Sequence, residues 1–225
     1  MFGIMSSSPI LQAGNIHKAY GDIEVLKGID LVVGRGEIVS VVGASGAGKS
    51  TLLHILGSLD RPDEGKIIID EHVVSSLNRS QLAAFRNSQI GFVFQFHNLL
   101  PEFTAFENVC IPGYIGRRKQ AEVEARAKEL LAILGLGERM HHKPSQLSGG
   151  EQQRTAVARA LVNSPQIVFA DEPSGNLDSH SAEELHRLFF DLRERLNLSF
   201  VIVTHNPVLA DMADRKLTIE DGKIL

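Results

Sequence analysis

The chain has 225 residues, of which 43% are hydrophobic and 22% charged, as in an ordinary globular domain with one sizeable core. The net charge of −4 argues against a nucleic-acid binder, and the single cysteine, Cys110, excludes a disulfide within the chain. No apolar run approaches the roughly 20 residues that cross a bilayer, and Met1–Pro9 lacks the pattern of a secretory signal. We therefore expect a cytosolic protein, so any action at a membrane requires another chain to span it.

Short strands and turns are predicted for the N-terminal third. The predicted strands are residues 23–26, 30–33, 37–42 and 66–69. A glycine-rich loop, Gly43–Gly48, follows the third strand, and a helix is predicted from Lys49 to about Leu59. The sequence thus has an apolar strand, a glycine loop and a helix in immediate succession.

The middle of the chain, from about His97 to Ser148, changes to a helical pattern. Apolar residues recur there at helical spacing, and the glycines Gly135 and Gly137 then end the helix. These apolar residues are Val123, Ala127, Leu130, Leu131 and Leu134. We interpret this segment as a mostly helical insertion.

Strands and helices alternate again in the last third. Helices are predicted at 151–163 and 185–196, strands at 167–170 and 200–204, and a closing hairpin at 216–224. This alternation predicts an α/β fold with a mainly parallel sheet. Ligands of such sheets bind at the carboxyl ends of the strands.

The glycine loop matches the phosphate-binding pattern G-x-x-x-x-G-K-[ST] in full. It consists of Gly43, Ala44, Ser45, Gly46, Ala47, Gly48, Lys49 and Ser50. Its amides and the following helix N-terminus suit a polyphosphate, Lys49 suits the β- and γ-phosphates, and the Ser50 hydroxyl suits Mg²⁺. The alternative, a glycine-rich turn without a ligand, does not explain why the whole pattern stands between a strand and a helix.

Two adjacent carboxylates, Asp171 and Glu172, end the apolar strand Ile167–Ala170. A charged turn is the commoner meaning of such a pair. Beside a phosphate loop, however, we expect Asp171 to complete the Mg²⁺ shell and Glu172 to polarise the attacking water.

The segment Leu147-Ser148-Gly149-Gly150-Glu151-Gln152 closely resembles the signature motif of the ABC transporter ATPases. Its hydroxyl, two glycines and helix start form a second anion site, although Ser148 can equally be a helix N-cap. The resemblance covers nearly the whole chain and implies a P-loop NTPase (RecA-like) core with an N-terminal antiparallel β subdomain. It implies one domain, residues 1–225, with the helical subdomain at about 97–148.

The same resemblance assigns further residues. Tyr20 aligns with the aromatic residue that stacks on adenine, and Thr51 with a nucleotide-binding residue next to the phosphate loop. Gln95 resembles the glutamine that contacts Mg²⁺ or water, and His205 the histidine that contacts the γ-phosphate. Asp178 lies in the loop that crosses between subunits, although a helix N-cap remains an alternative for it.

The ABC resemblance also implies a homodimer. Two copies would pair head to tail, and each ATP would lie between the glycine loop of one copy and Ser148–Gly150 of the other. The sequence departs from the commonest pattern at Ser174, where Thr is frequent, and at Asn206, where Asp is frequent. The second departure changes the residue next to His205, so we expect His205 to be held differently.

The segment Gln95–Pro112, with Leu59–Pro62 upstream, resembles the subfamily that contains LolD, MacB and FtsE, and most closely its LolD branch. That resemblance implies release of lipoproteins from the bacterial inner membrane, at its cytoplasmic face, together with LolC/LolE-like membrane-spanning permease subunits. Residues Leu99, Leu100, Pro101 and Phe103 would line part of the permease contact, or would simply pack the helical insertion.

Three alternatives remain open on the sequence. The first is a MacB- or FtsE-type ATPase that drives efflux or transmits force, with identical catalytic chemistry. The second is an ABC ATPase acting on ribosomes or DNA without a membrane partner, although such proteins usually join two ATPase domains or insert coiled coils. The third is a nucleotide-binding scaffold without activity, against which Lys49, Asp171, Glu172 and His205 argue.

Overall fold

The computed structural model describes residues 8–225, so the prediction made for Met1–Pro9 falls almost entirely outside it. The strands are β1 (Leu11–Tyr20), β2 (Ile23–Val33), β3 (Ile38–Val42), β4 (Glu64–Ile69), β5 (His72–Val73), β6 (Ile90–Phe94), β7 (Ile167–Asp171), β8 (Ser199–Val203), β9 (Arg215–Glu220) and β10 (Lys223–Ile224). The helices are α1 (Lys49–Leu56), α2 (Arg79–Gln89), α3 (Ala105–Ile115), α4 (Gln120–Ile133), α5 (Gly149–Leu161), α6 (Ser179–Leu196) and α7 (Pro207–Met212). Short 3₁₀ turns occupy Val74–Ser76, Gly137–Arg139 and Pro144–Gln146.

A six-stranded sheet in the order β10-β9-β3-β8-β7-β6 forms the centre of the fold. Its strands are parallel except for the β9–β10 hairpin. Phe94 pairs with Asp171, and Asp171 pairs with Val203, so neighbouring strands end at the same level. The residues that follow β3, β6, β7 and β8 are therefore brought to one edge of the sheet.

A second sheet, in the order β2-β1-β4-β5, is antiparallel throughout. Its apolar residues pack with α1 against one face of the parallel sheet, where Leu31, Leu53 and Phe169 belong to one core. A second core, which includes Val123, Phe189 and Phe200, packs the helices α3, α4, α5 and α6 against the other face of this sheet. The sheet that ends at the predicted site is thus covered on both faces, as mainly parallel sheets require.

The helical segment begins at a well-formed cap. Thr104 accepts a hydrogen bond from the Glu107 amide, and the Glu107 carboxylate accepts one from the Thr104 amide at 2.7 Å. The predicted apolar stripe is buried along α4, with Val123, Ala127, Leu130 and Leu131 inaccessible to solvent.

The fold class is confirmed, and three local details differ from the sequence predictions. The helix predicted to about Leu59 ends at Leu56, because Gly57 packs directly on the Phe92 ring and Ser58 has a positive φ of 61°. The segments 23–26 and 30–33 form one continuous strand, and Gly28 within it has φ 81°. Strands β1 and β5 and helices α2 and α7 were not predicted; each of these two helices buries only two residues. Within residues 8–225, no helix is both long and apolar enough to cross a bilayer.

Candidate functional site

The glycine loop between β3 and α1 has a backbone that only glycine tolerates at two positions. Gly43 has φ 154°, and an added Cβ would overlap the carbonyl oxygen of Ile219 on the neighbouring strand β9. Gly48 has φ 100°, and a Cβ there would lie 2.9 Å from the Leu26 side chain. These positions explain the glycines at both ends of the predicted phosphate loop.

Lys49, the first residue of α1, folds back over this loop. Its Nζ donates hydrogen bonds to the carbonyl oxygens of Gly43 and Ala44, each at 2.9 Å. Ser45 and Gly46, the next two residues of the loop, are exposed. The loop therefore presents an ammonium group, exposed backbone and the positive end of α1 at one place, which suits an anion.

Asp171 ends β7 directly beside this loop. The Ser50 hydroxyl donates to Asp171 Oδ1 at 3.1 Å, and His54 Nε2 lies 3.8 Å from Asp171 Oδ2. The two residues predicted to hold Mg²⁺, Ser50 and Asp171, are thus in direct contact. Among residues 8–225 no group of three or more His, Cys, Asp or Glu side chains could hold a metal ion. A Mg²⁺ here would take its other ligands from phosphate and water, as it commonly does.

Glu172 has a backbone conformation that non-glycine residues rarely adopt, with φ 47°. Its amide donates to the Val203 carbonyl at 2.9 Å, which ties this conformation to β8. Its Oε2 accepts a hydrogen bond from the His205 amide at 3.1 Å and lies 2.7 Å from His205 Nδ1. Such strain is typical of functional positions, and in this conformation the Glu172 carboxylate lies against His205.

Gln95, which follows β6, contacts the loop after β7. Its Nε2 donates to Asn176 Oδ1 at 3.0 Å, and Asn176 Nδ2 donates back to the Gln95 carbonyl at 3.2 Å. A Cβ on Gly175 would lie 3.0 Å from Gln95 Nε2, so glycine lets the two loops approach closely. In the sequence, Asn176 was identified only as part of the segment Ser174–Asp178, which resembles the loop that crosses between subunits, and no contact with Gln95 was predicted for it.

Ser148 caps α5, the helix that begins at the predicted signature motif. It forms a capping box with Glu151, whose carboxylate accepts from the Ser148 amide at 2.8 Å. That amide hydrogen bond is the largest of the effects that hold the pKa of Glu151 below its usual range. Gly149 and Gly150 follow in the first turn, with Gly150 close to Ser181 of α6. The helix N-terminus is therefore stable and exposed at Ser148 and Gly149, which suits a second anion.

Asp178 caps α6, and its Oδ1 accepts from the Ser181 amide at 3.0 Å. The N-cap alternative is thus present in the structure, and a role between subunits stays a prediction.

Asn206 likewise caps α7 and binds the amides of Val208 and Leu209. The support of His205 comes instead from Glu172. Ser174 is buried, and its hydroxyl contacts His186 at 3.0 Å.

Tyr20 ends β1 with 52% of its surface exposed, so a planar group can stack on its ring. Its hydroxyl donates to Asp60 at 2.8 Å. Thr51 lies half-buried in the first turn of α1. Asp60 was noticed in the sequence only as part of Leu59–Pro62, without a role.

Hydrogen bonds thus join the predicted residues in three sets: Lys49 with the carbonyls of the glycine loop, Ser50 with Asp171, and Glu172 with His205. No hydrogen bond within the described part of the chain joins the glycine loop to Ser148–Gly150. Gln153, after the signature, is fully buried, and its Nε2 donates to the carbonyls of Phe94 and Pro173, so it fixes α5 relative to β6 and β7.

Comparison with known proteins agrees with this geometry. A family model described as "ABC transporter" matches residues 26–175. The lipoprotein-releasing system ATP-binding protein LolD of Cytophaga hutchinsonii is 66% identical over 96% of this chain and 99% of its own. LolD of Bacteroides thetaiotaomicron is 57% identical over 96% and 99%. A dimeric ATP-binding cassette in a post-hydrolysis state with ADP and Pi superposes with a TM-score of 0.86, at 41% identity over 95% of this chain and 96% of that one.

Proposed function

Since this chain belongs to the ABC transporter family, we propose that it is the ATP-hydrolysing subunit of a translocase that releases lipoproteins from the inner membrane. The observation that carries the ATPase proposal is the convergence of the glycine loop, Asp171 and Glu172 at one edge of the parallel sheet. The relatives named as lipoprotein-releasing ATP-binding proteins, alike over nearly their whole length, support the substrate class.

The glycine loop, Gly43–Ser50, binds the triphosphate. Lys49, whose Nζ donates to the carbonyls of Gly43 and Ala44, directs its remaining N–H to the β- and γ-phosphates, while the loop amides donate to phosphate oxygens. Ser50, Asp171 and Gln95 would hold a Mg²⁺ ion, which would neutralise charge on the phosphates. Tyr20 stacks on the adenine, and Thr51 lies beside the bound nucleotide.

Hydrolysis depends on Glu172. Its carboxylate, held by the His205 amide, orients the attacking water and accepts its proton. His205, whose side chain is 71% exposed, turns to the γ-phosphate once nucleotide is present. Lys49 and the loop amides stabilise the charge of the transition state because they are fixed before the reaction begins.

The second phosphate contact comes from another copy of the chain. Ser148, Gly149 and Gly150 present a capped helix N-terminus to the γ-phosphate bound by the partner's glycine loop, and Asp178 crosses near the interface. A twofold axis gives two such sites. Since the γ-phosphate joins the two copies, ATP closes the dimer and hydrolysis opens it, which supplies the movement that a transporter requires.

The membrane partner binds beside Gln95, at the cytoplasmic face of the inner membrane. Phe96, Leu100 and Phe103 are 68%, 44% and 40% exposed, which is unusual for neighbouring large apolar residues. Leu99 and Pro101 complete this surface, which LolC/LolE-like permease subunits would cover. We further propose that residues 1–225 act as one domain, with about 97–148 as its helical, permease-facing part.

The buried side chain of Asn108 holds the backbone beneath this surface. Its buried side-chain amide donates to the carbonyls of Leu100, Phe103 and Thr104 at 2.9–3.1 Å, and its Oδ1 accepts from the Leu100 amide at 2.8 Å. We expect Asn108→Ala to lower the free energy of unfolding by about 2 kcal/mol, because these partners lose their hydrogen bonds. Urea denaturation of the purified chain measures this.

Asn108→Asp is the matched variant. It keeps the acceptor for Leu100 and loses the three donated hydrogen bonds, so we expect it to be destabilised as well. Unfolding curves that coincide with that of the parent protein for both variants would contradict this account of the loop.

The substrate proposal is tested with the assembled transporter. The tagged chain is purified with its membrane-spanning subunits from the native bacterium and reconstituted into vesicles that contain an acylated lipoprotein. We expect ATP to transfer the lipoprotein to a soluble periplasmic carrier, and Glu172→Gln complexes to transfer none. ATP hydrolysis without any lipoprotein release would refute the substrate class and favour a MacB- or FtsE-type role.

A further inference from the structure

A cluster of charged side chains surrounds the hydroxyl end of Tyr20, outside the phosphate-binding loop. Asp60 lies in the connection between α1 and β4, and its Oδ2 accepts a hydrogen bond from the Tyr20 hydroxyl at 2.8 Å. Its Oδ1 accepts the Arg61 amide at 2.7 Å, and its own amide donates to the His54 carbonyl at 3.2 Å. The carboxylate that receives the phenol is therefore itself fixed to the end of α1.

Lys18 contacts both members of this pair. Its Nζ lies 3.2 Å from Asp60 Oδ2 and 3.5 Å from Asp63 Oδ1, and it donates to the Arg61 carbonyl at 2.7 Å. The same ammonium lies 5.3 Å from the centre of the Tyr20 ring, in a cation–π arrangement. Only 11% of the Lys18 side chain is exposed, so this geometry is more constrained than that of a surface ion pair.

The charge states agree with these contacts. The hydrogen bond to Asp60 is the main cause that raises the pKa of Tyr20 above its usual value, as expected when the protonated phenol is the donor. Burial opposes ionisation of Asp60, but hydrogen bonds from Tyr20, Arg61 and Lys18 outweigh it and lower the pKa of the carboxyl group. Burial also opposes the charge on Lys18, and Asp60 outweighs it.

A tyrosine at the end of an exposed strand normally turns about two side-chain bonds. Stacking a base on such a ring costs entropy, because the ring must be ordered on binding. Tyr20 is held at its hydroxyl by Asp60 and at its ring by Lys18, yet half of its surface is open. The ordering cost is thus met when the chain folds, before nucleotide arrives.

We propose that Asp60 and Lys18 are positioning residues for base recognition: they hold the Tyr20 ring in the orientation that stacks on the purine of the nucleotide. Neither residue belongs to the glycine loop or to the Asp171–Glu172 pair. The inference rests on the proposed function, specifically on nucleotide binding at this site. It assigns a role to Asp60 of the segment Leu59–Pro62, which the ATPase chemistry leaves unexplained.

The test compares two probes on the full chain: MgATP, and inorganic tripolyphosphate with Mg²⁺ as a probe without a base. Tyr20→Phe removes only the hydroxyl and keeps the ring, and Asp60→Ala removes the acceptor. We expect each to weaken MgATP binding about fivefold and to leave tripolyphosphate binding unchanged, because the phosphate loop is untouched. The double variant should bind MgATP like Asp60→Ala alone, since both changes break one hydrogen bond.

The control is Asp191→Ala, an exposed aspartate of α6 that forms no hydrogen bond or ion pair within residues 8–225. It should bind both probes like the parent. Tyr20→Phe changes one atom and keeps the test decisive even if Asp60→Ala folds poorly, which thermal unfolding reports.

Tyr20→Ala separates the inference from the function on which it rests. If Tyr20→Ala weakens MgATP binding and Tyr20→Phe and Asp60→Ala do not, the ring stacks on the base without help, and the inference is overturned. If Tyr20→Ala binds MgATP normally, the adenine contact itself is wrong. If all variants weaken both probes equally, the cluster only supports the fold, which also overturns the inference.

Discussion

Glu172→Gln is expected to reduce ATP hydrolysis by about 10³-fold and to accumulate an ATP-bound dimer. Glutamine preserves the size of the side chain and can still receive the His205 amide, which lies 3.1 Å from Glu172 Oε2. It cannot accept a proton from the attacking water, and general-base catalysis contributes about 10²–10⁴-fold. Binding is retained because Lys49 and the glycine loop are unchanged. Phosphate release measures the rate, and size-exclusion chromatography with MgATP measures the dimer.

The matched control is Glu194→Gln. Glu194 is exposed on α6 and pairs only with its neighbour Arg193 at 3.6 Å within the described chain, so its loss should leave turnover at the parent rate. Turnover by Glu172→Gln comparable to the parent would show that another group serves as the base.

Lys49→Ala is expected to weaken ATP binding by about a hundredfold. The parent ammonium is already held over the glycine loop by the carbonyls of Gly43 and Ala44, so it meets the phosphates without a large rearrangement. Its removal deletes a charge-assisted hydrogen bond to phosphate and leaves two carbonyl oxygens facing the anion. Equilibrium binding of a fluorescent ATP analogue measures the loss.

Lys66→Ala provides the comparison, because Lys66 is an exposed lysine on β4 in the antiparallel sheet. It should leave ATP affinity unchanged at equal ionic strength. An unchanged affinity in Lys49→Ala would mean that the glycine loop does not bind the phosphates.

The parts of the site that lie next to one another in the chain could be predicted from the sequence. An apolar strand followed by a glycine loop and a helix indicates its own geometry, and Gly43 and Gly48 have the backbone conformations that this pattern requires. The same holds for Asp171 and Glu172, which stand where a buried strand ends. Parallel strands that end at one level then bring these local motifs together.

The side-chain contacts between distant segments could not be predicted. Gln95 and Asn176 are 81 positions apart, and Tyr20 and Asp60 are 40 apart. Their meeting depends on loop conformations, such as the close approach of Gly175 to Gln95, which no local pattern encodes. Helix α2 was missed for a different reason: only Leu82 and Phe85 are buried, so its apolar residues form too weak a helical pattern.

The claim that two copies of the chain bind each ATP jointly is tested most directly by a structure of the Glu172→Gln protein with Mg²⁺ and ATP. Our account predicts that the γ-phosphate lies within hydrogen-bond distance, about 3 Å, of Ser148 Oγ or the Gly150 amide contributed by the other copy. Simultaneously, Lys49 of the first copy should contact the same phosphate. A triphosphate on the glycine loop with Ser148–Gly150 of both copies facing solvent or an unrelated surface would contradict it.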